Sequence, residues 1–261
     1  MKIAILGAGA FGTALGGVLS DNGYVVDYYD PAIFNATLTR VLEGAQMVLL
    51  VAPSTAVGGL LVEVSKELPL IVATKGLLTG EVFKGREYAV ISGPGFADEI
   101  KAHHETKLTV TDMALMEMFG ADYMEFDFTE DKLGVLMCGA LKNVYAILAG
   151  MRDLRPGTEA HERYIREVVE EMRGILAANG AVPATVDLAC GEGDLRLTCA
   201  EPSRNYEFGQ LVRENPDYQP EKTVEGLAAL EKIYQGEIVV PEGAKYLTEV
   251  MWSFHRRLFK D

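Results

Sequence analysis

Lys142 and Asn143 interrupt an otherwise apolar run, LGVLMCGALKNVYAILAGM, that fills residues 133–151. An ammonium in apolar surroundings is costly unless something pairs with it. Desolvation also lowers its proton affinity, which suits it to proton transfer near neutral pH. The alternative is a lysine that lays its stem on apolar surface and keeps its head in water. Lys75 and Arg204 are the other cations that stand out in an acidic chain. Lys75 closes an apolar strand, where a side chain projects either into a crevice or into solvent. Arg204 lies in PSRN, residues 202–205, at the apparent start of a helix. Ser203 there can cap the helix. Ser203, Arg204, Asn205 and the helix N–H groups also suit a phosphate, and the two roles are compatible. Asp194 in the glycine-rich GEGDL, residues 191–195, either makes a turn or supplies a counter-charge to a buried lysine, with Thr198 adding a hydroxyl.

A second constellation opens the chain. Gly7-Ala8-Gly9-Ala10-Phe11-Gly12 follows an apolar strand at 2–6 and precedes a helix at 13–20. A second strand at 25–29 ends at Asp30. This is a G-x-G-x-x-G turn inside a βαβ unit, with an acid about 20 residues on. Gly7 permits the tight turn, Gly9 lets backbone approach a pyrophosphate, and Gly12 lets helix and strand pack closely. The helix start then offers N–H groups and a positive dipole end to phosphates. Asp30 would accept from a ribose 2′-OH and repel a 2′-phosphate, favouring NAD over NADP. It also sits before Pro31, where Asp forms turns.

The elements that must hold these residues follow a pattern. Strands are expected at 46–52, 70–74, 88–92, 107–110 and 123–126, with a helix at 55–66. Alternating strands and helices argue for an α/β, doubly wound Rossmann sheet, whose ligands lie beyond the carboxyl ends of the strands. Gly7, Asp30, Ser54, Lys75 and Gly93 fall at such ends. After about residue 129 the strand signal stops. Helices are expected at 130–151, 159–179, near 183–190, and at 205–214, 223–235 and 242–258. The expected organisation is a nucleotide-binding domain over 1–128 and an all-α domain over 129–261, with the 130–151 helix buried at its centre.

Bulk properties bound the function. The 261 residues carry a formal charge of −14, which repels DNA, RNA and anionic membrane surfaces. An anionic substrate therefore needs local positive charge. Three cysteines, Cys138, Cys190 and Cys199, match no zinc spacing and fit reduced thiols in a cytoplasmic protein. No metal ligands are expected. No uninterrupted apolar run reaches the length of a membrane span. The basic, apolar N-terminus resembles a signal peptide, but its glycines are better explained by the nucleotide turn.

The order GAGAFGTAL, VAPS, ATKGL, ISGPGFADEI, ALKNVYAILAGM, GDLRLTC, SRNYEFG and TVEG resembles the bacterial-type NAD(P)-dependent sn-glycerol-3-phosphate dehydrogenase family, from residue 3 to about 235. The resemblance implies Lys142 as general acid/base, with Lys75 and Asp194 beside it at the substrate. It implies Gly93, Gly95, Asn143, Thr198, Ser203, Arg204 and Asn205 as substrate-binding. It places Ala10, Phe11, Lys75, Ala97, Arg204, Thr223 and Glu225 at cofactor-contacting positions, beside Gly7, Gly9, Gly12 and Asp30. The implied cofactor is NAD or NADP, and the implied substrate is glycerol 3-phosphate or dihydroxyacetone phosphate. The apolar second domain leaves a homodimer open.

The chain departs from the family in places. Gly95 stands where Ser or Thr is usual, the 31–46 connection is short, and 152–167 is replaced, with Glu159 and Glu167 at altered positions. These departures keep two alternatives in view. One is a reductase of another small phosphorylated or carboxylated carbonyl compound. The other is a nucleotide-binding sensor without turnover.

Overall fold

The computed structural model describes residues 1–31, 37–77 and 79–258. Part of the short 31–46 connection, residues 32–36, lies outside them. The chain divides into two compact units. One comprises Met1–Lys75 and Gly80–Lys132, the other Gly76–Thr79 and Leu133–Asp261.

The first unit runs β1 (Lys2–Leu6), α1 (Ala10–Asp21), β2 (Val25–Tyr29), α2 (Leu38–Leu42), β3 (Met47–Leu50), α3 (Val57–Glu63), β4 (Leu70–Val72), β5 (Tyr88–Ser92), α4 (Ala97–Lys101), β6 (Thr106–Val110), α5 (Ala114–Met118) and β7 (Met124–Phe128). The strands form one sheet in the order β2-β1-β3-β4-β5-β6-β7. β1 pairs in parallel with β2 and β3, so Ile5 lies between Tyr28 and Leu49. β1, β3 and β4 are almost uninterrupted apolar runs, as strands covered on both faces must be. α1 buries Ala14, Leu15, Val18 and Leu19 in the core. Gly16 is there because any Cβ would strike Ile5 and Tyr28.

The sheet is less uniform than the sequence suggested. β6 runs antiparallel to β5, and only then does β7 resume parallel pairing. The helix expected over 55–66 is a 3₁₀ turn at Ser54–Ala56 followed by α3, ending at Glu63. Gly58 and Gly59 inside it weaken any longer helix. α2, α4 and α5 have five residues each, too few to display a helical period.

The second unit contains α6 (Lys132–Met151) from Leu133 onward, α7 (Glu159–Ala178), α8 (Asp194–Thr198), α9 (Arg204–Glu214), α10 (Glu225–Tyr234) and α11 (Lys245–Leu258). α6 is buried continuously from Gly134 to Gly150. By length and composition alone it could cross a bilayer in spite of Lys142, yet 94% of its apolar window is buried inside the protein. α7 packs an apolar stripe that includes Ile165, Val168, Val169 and Met172. Its Tyr164 hydroxyl donates to the Tyr145 carbonyl of α6 at 2.7 Å. Glu171 of α7 accepts from the Tyr145 hydroxyl and from the N–H groups of Tyr246 and Leu247, at 2.8, 2.9 and 2.7 Å. It thereby caps the start of α11. The helix expected near 183–190 is a 3₁₀ turn at Pro183–Asp187, followed by a wide turn at Ala189–Gly193 that delivers the chain into α8.

Candidate active site

In the first unit the glycine-rich turn is shaped by close contacts. Gly7 has φ +116°, and a Cβ there would lie 2.8 Å from the Val51 and Ala52 backbone. A Cβ on Gly12 would overlap the Gly7 carbonyl. Gly9, the N-cap of α1, is different: a Cβ there would meet nothing within 4 Å. No side chain caps α1, and its first turn, which begins Ala10-Phe11, carries no acid. A twelve-residue helix thus presents N–H groups across an open glycine, a cradle that fits a pyrophosphate. Asp30 Oδ2 accepts from the Ala8 N–H at 3.1 Å, so the acid braces the turn as well as standing at the end of β2.

Lys75 is half-buried. Its Nζ donates to the Gly93 carbonyl at 3.4 Å and lies 5.2 Å from the centre of the Phe11 ring. Phe11, Lys75 and Gly93 are therefore brought together. Gly95 follows in the turn before α4, which begins at Ala97. A Cβ on Gly95 would sit 3.2 Å from Thr106 Cγ2. The space a serine hydroxymethyl would start from is crowded by Thr106, Ile100 and Leu108.

In the second unit, Lys142 Nζ is ion-paired with Asp194 Oδ1, and the two side chains are 2% and 1% exposed. The pair joins the middle of α6 to the first residue of α8. The sequence left Asp194 in a loop; it begins a helix instead. Thr198 Oγ1 donates to the Asp194 carbonyl at 2.6 Å and lies 3.5 Å from Oδ1. The next residue, Cys199, is fully buried. Desolvation pushes its thiol far above the ordinary range, and Lys142 opposes this only in part. It stays a neutral neighbour of the lysine.

Asn143 and Asn205 form a second buried link. Asn143 Nδ2 donates to the Gly139 carbonyl at 3.0 Å, and Asn205 Nδ2 donates to Asn143 Oδ1 at 2.9 Å. Asn205 Oδ1 accepts from the Gly226 N–H at 3.0 Å, which fastens the start of α10 to α6. Ser203 caps α9 by accepting from the Tyr206 N–H at 3.5 Å. Arg204 is exposed and reaches the Thr223 carbonyl at 3.5 Å, two residues before Glu225 opens α10.

Three contacts around this site had no place in the sequence reading. His161 Nε2 lies 3.2 Å from the Cys199 carbonyl, and Arg196 bonds both Glu162 and Glu192. The Glu192–Arg196 spacing of four is visible in sequence. The other two partners are 38 and 34 residues apart, and no local pattern connects them.

The arrangement has a definite chemistry. A buried ammonium held by one carboxylate can give a proton to an oxygen that gains charge during a reaction and recover it afterwards.

Comparison with known proteins agrees with these features. The family described as NAD-dependent glycerol-3-phosphate dehydrogenase matches in both halves, its N-terminus over residues 30–116 and its C-terminus over residues 131–250. Glycerol-3-phosphate dehydrogenase [NAD(P)+] of Coxiella burnetii is 31% identical over 99% of this chain and 92% of its own length. The enzyme of that name from Azotobacter vinelandii is 34% identical over 80% of this chain and 76% of its own length. The crystal structure of the Coxiella burnetii glycerol-3-phosphate dehydrogenase has a TM-score of 0.83 at 27% identity, covering 100% of this chain and 95% of that one.

Proposed function

Because the chain belongs to the NAD-dependent glycerol-3-phosphate dehydrogenase family, we propose that it interconverts sn-glycerol 3-phosphate and dihydroxyacetone phosphate with NAD(H). Its metabolic role is then to supply glycerol 3-phosphate for phospholipid synthesis. The observation that carries the reading is the buried Lys142–Asp194 pair. The bound cofactor supplies or accepts the hydride. Lys142 protonates the C2 oxygen as charge develops there and takes the proton back in the reverse direction. Asp194 keeps the ammonium charged and aimed. Arg204, with the N–H groups at the start of α9, offers charge to the substrate phosphate, whose binding energy fixes the reacting carbon. Asn205 acts mainly by holding Asn143 and the start of α10. In the first unit the α1 N-terminus takes the pyrophosphate, and Lys75 beside Phe11 lines the same strand ends.

Asp30 supports NADH over NADPH, since a carboxylate at the end of β2 repels a 2′-phosphate. Three buried free cysteines support a reducing, cytoplasmic location. Gly95 supports a second reading, another small carbonyl substrate, because no side chain reaches the substrate from that position.

The test is NADH oxidation with dihydroxyacetone phosphate, run beside NADPH and a panel of 2-keto acids. The wild type should prefer NADH and dihydroxyacetone phosphate. Lys142→Ala should lower kcat by about a thousandfold while NADH still binds. Turnover that survives in Lys142→Ala, or a faster rate with a 2-keto acid, would sink this assignment.

A further inference from the structure

Asp194 is carried by a helix too short to hold itself in place. α8 has five residues, and an isolated turn of that length is unstable in water. Its position must come from what it touches. Behind it, Gly191 lies so close to Val186 that any Cβ would overlap the Val186 carbonyl. The remaining anchors come from the first turn of α7, in the 152–167 stretch where the sequence departs from its family.

Two consecutive residues of α7 grip α8. His161, 3% exposed, faces the carbonyl of Cys199, the residue that caps the end of α8, through Nε2 at 3.2 Å. Its Nδ1 is 3.6 Å from Glu162 Oε1 and has no hydrogen-bond partner. A proton on Nε2 lets the ring donate to the Cys199 carbonyl. Glu162 Oε2 accepts from Arg196 Nη1 at 2.7 Å, and Arg196 Nε donates to Glu192 at 2.8 Å. Arg196 thus fixes the middle of α8 to α7 and to the turn preceding it.

These contacts close a ring. Asp194 meets Lys142 on α6, and one turn along α6 the Tyr145 carbonyl accepts from Tyr164 of α7. One turn back along α7, His161 holds the far end of α8. We propose that the first turn of α7 is a clamp that sets Asp194 against Lys142, with His161 and Arg196 as positioning residues for the proton donor. Neither is a catalytic residue. Loosening the clamp lets Asp194 withdraw and leaves Lys142 a buried ammonium facing the neutral Cys199 thiol. The ammonium then holds its proton less well.

The inference rests on Lys142 being the proton donor, and its test separates the two claims. The Lys142 ammonium is titrated by NMR of protein carrying ¹³Cε-lysine, its signal assigned by loss in Lys142→Arg. This readout needs no substrate. Steady-state rates and NADH affinity are measured alongside. His161→Leu should shift the Lys142 titration to lower pH and move the alkaline limb of kcat the same way. It should also cut kcat about tenfold with NADH affinity unchanged. His161→Gln, which keeps a donor at the Nε2 position, should restore both. Arg196→Gln should give a smaller shift in the same direction. A wild-type titration in His161→Leu, or a His161→Gln no better than His161→Leu, overturns the clamp. If His161→Leu does not fold, the half-exposed Arg196→Gln and Glu162→Gln decide: a shift supports the clamp and its absence overturns it. Failure of the wild type to reduce dihydroxyacetone phosphate would instead count against the proposed reaction, and the titration would still judge the clamp.

Discussion

Lys142 and Asp194 have both left water, so each is tolerated only because of the other. Removing one partner strands a charge, which in proteins costs about 3–5 kcal/mol, whereas replacing both with apolar side chains is often neutral. Asp194→Ala should therefore lose about that much in urea unfolding and lose turnover more than NADH affinity. Lys142→Met with Asp194→Leu should be inactive yet clearly more stable than Asp194→Ala alone. A double variant no more stable than the single would contradict this account. Lys142 was legible as a candidate because an ammonium in an apolar helix is anomalous at first sight. Asp194 was legible as a turn former or as the counter-charge to a buried lysine, and the second reading is the one the structure adopts. That it opens α8, and that Thr198 bonds its carbonyl, depend on the wide turn at Ala189–Gly193, which leaves no periodic signal. Asn143 came from the family resemblance and Asn205 from the PSRN segment as a phosphate contact, and their mutual bond across 62 residues has no sequence signature.

Long elements announced themselves through periodicity, while short ones owe their existence to contacts. β1, α1, α6 and α7 fall close to where apolar patterning puts them. α8 and the five-residue helices do not, because packing decides them rather than propensity. Glu171 shows how such packing extends to a long helix. It receives the buried Tyr145 hydroxyl and two N–H groups at the start of α11, so one carboxylate ties α6, α7 and α11. Glu171→Ala leaves that hydroxyl unsatisfied and α11 uncapped. Thermal or urea unfolding should show a loss of about 3 kcal/mol. Exposed Glu170→Ala should change stability by no more than about 0.5 kcal/mol. Equal losses in the two variants would show that Glu171 does not hold these helices.

Over the whole chain, burial holds several weak acids neutral. Tyr145, Tyr164 and Cys199 are all pushed above their ordinary values, chiefly by desolvation. Such a group contributes stability that is fully present below its unfolded-state pKa and is withdrawn as pH rises toward the folded value. The unfolded values are about 8.5 for cysteine and about 10 for tyrosine. Stability set by these groups should be level up to about pH 8 and fall above about pH 9, read as the urea midpoint at successive pH values. A midpoint unchanged at about pH 10.5 would remove these groups from the account. The sheet order carries a different consequence. β2 stands at the end of the sheet, and among the described residues it pairs on one side only, with β1. Its open side is a template on which a second molecule could add a strand. Asp27 stands in the middle of VVDYY, its carboxylate taking the Tyr28 N–H at 3.1 Å and lying 3.6 Å from Lys2 Nζ. A charge there makes the strand a poor seed for fibrils. Asp27→Val should leave the unfolding midpoint nearly unchanged and quicken light-scattering aggregation of the warm, folded protein. One acid on the outermost strand would then act as a guardian of solubility.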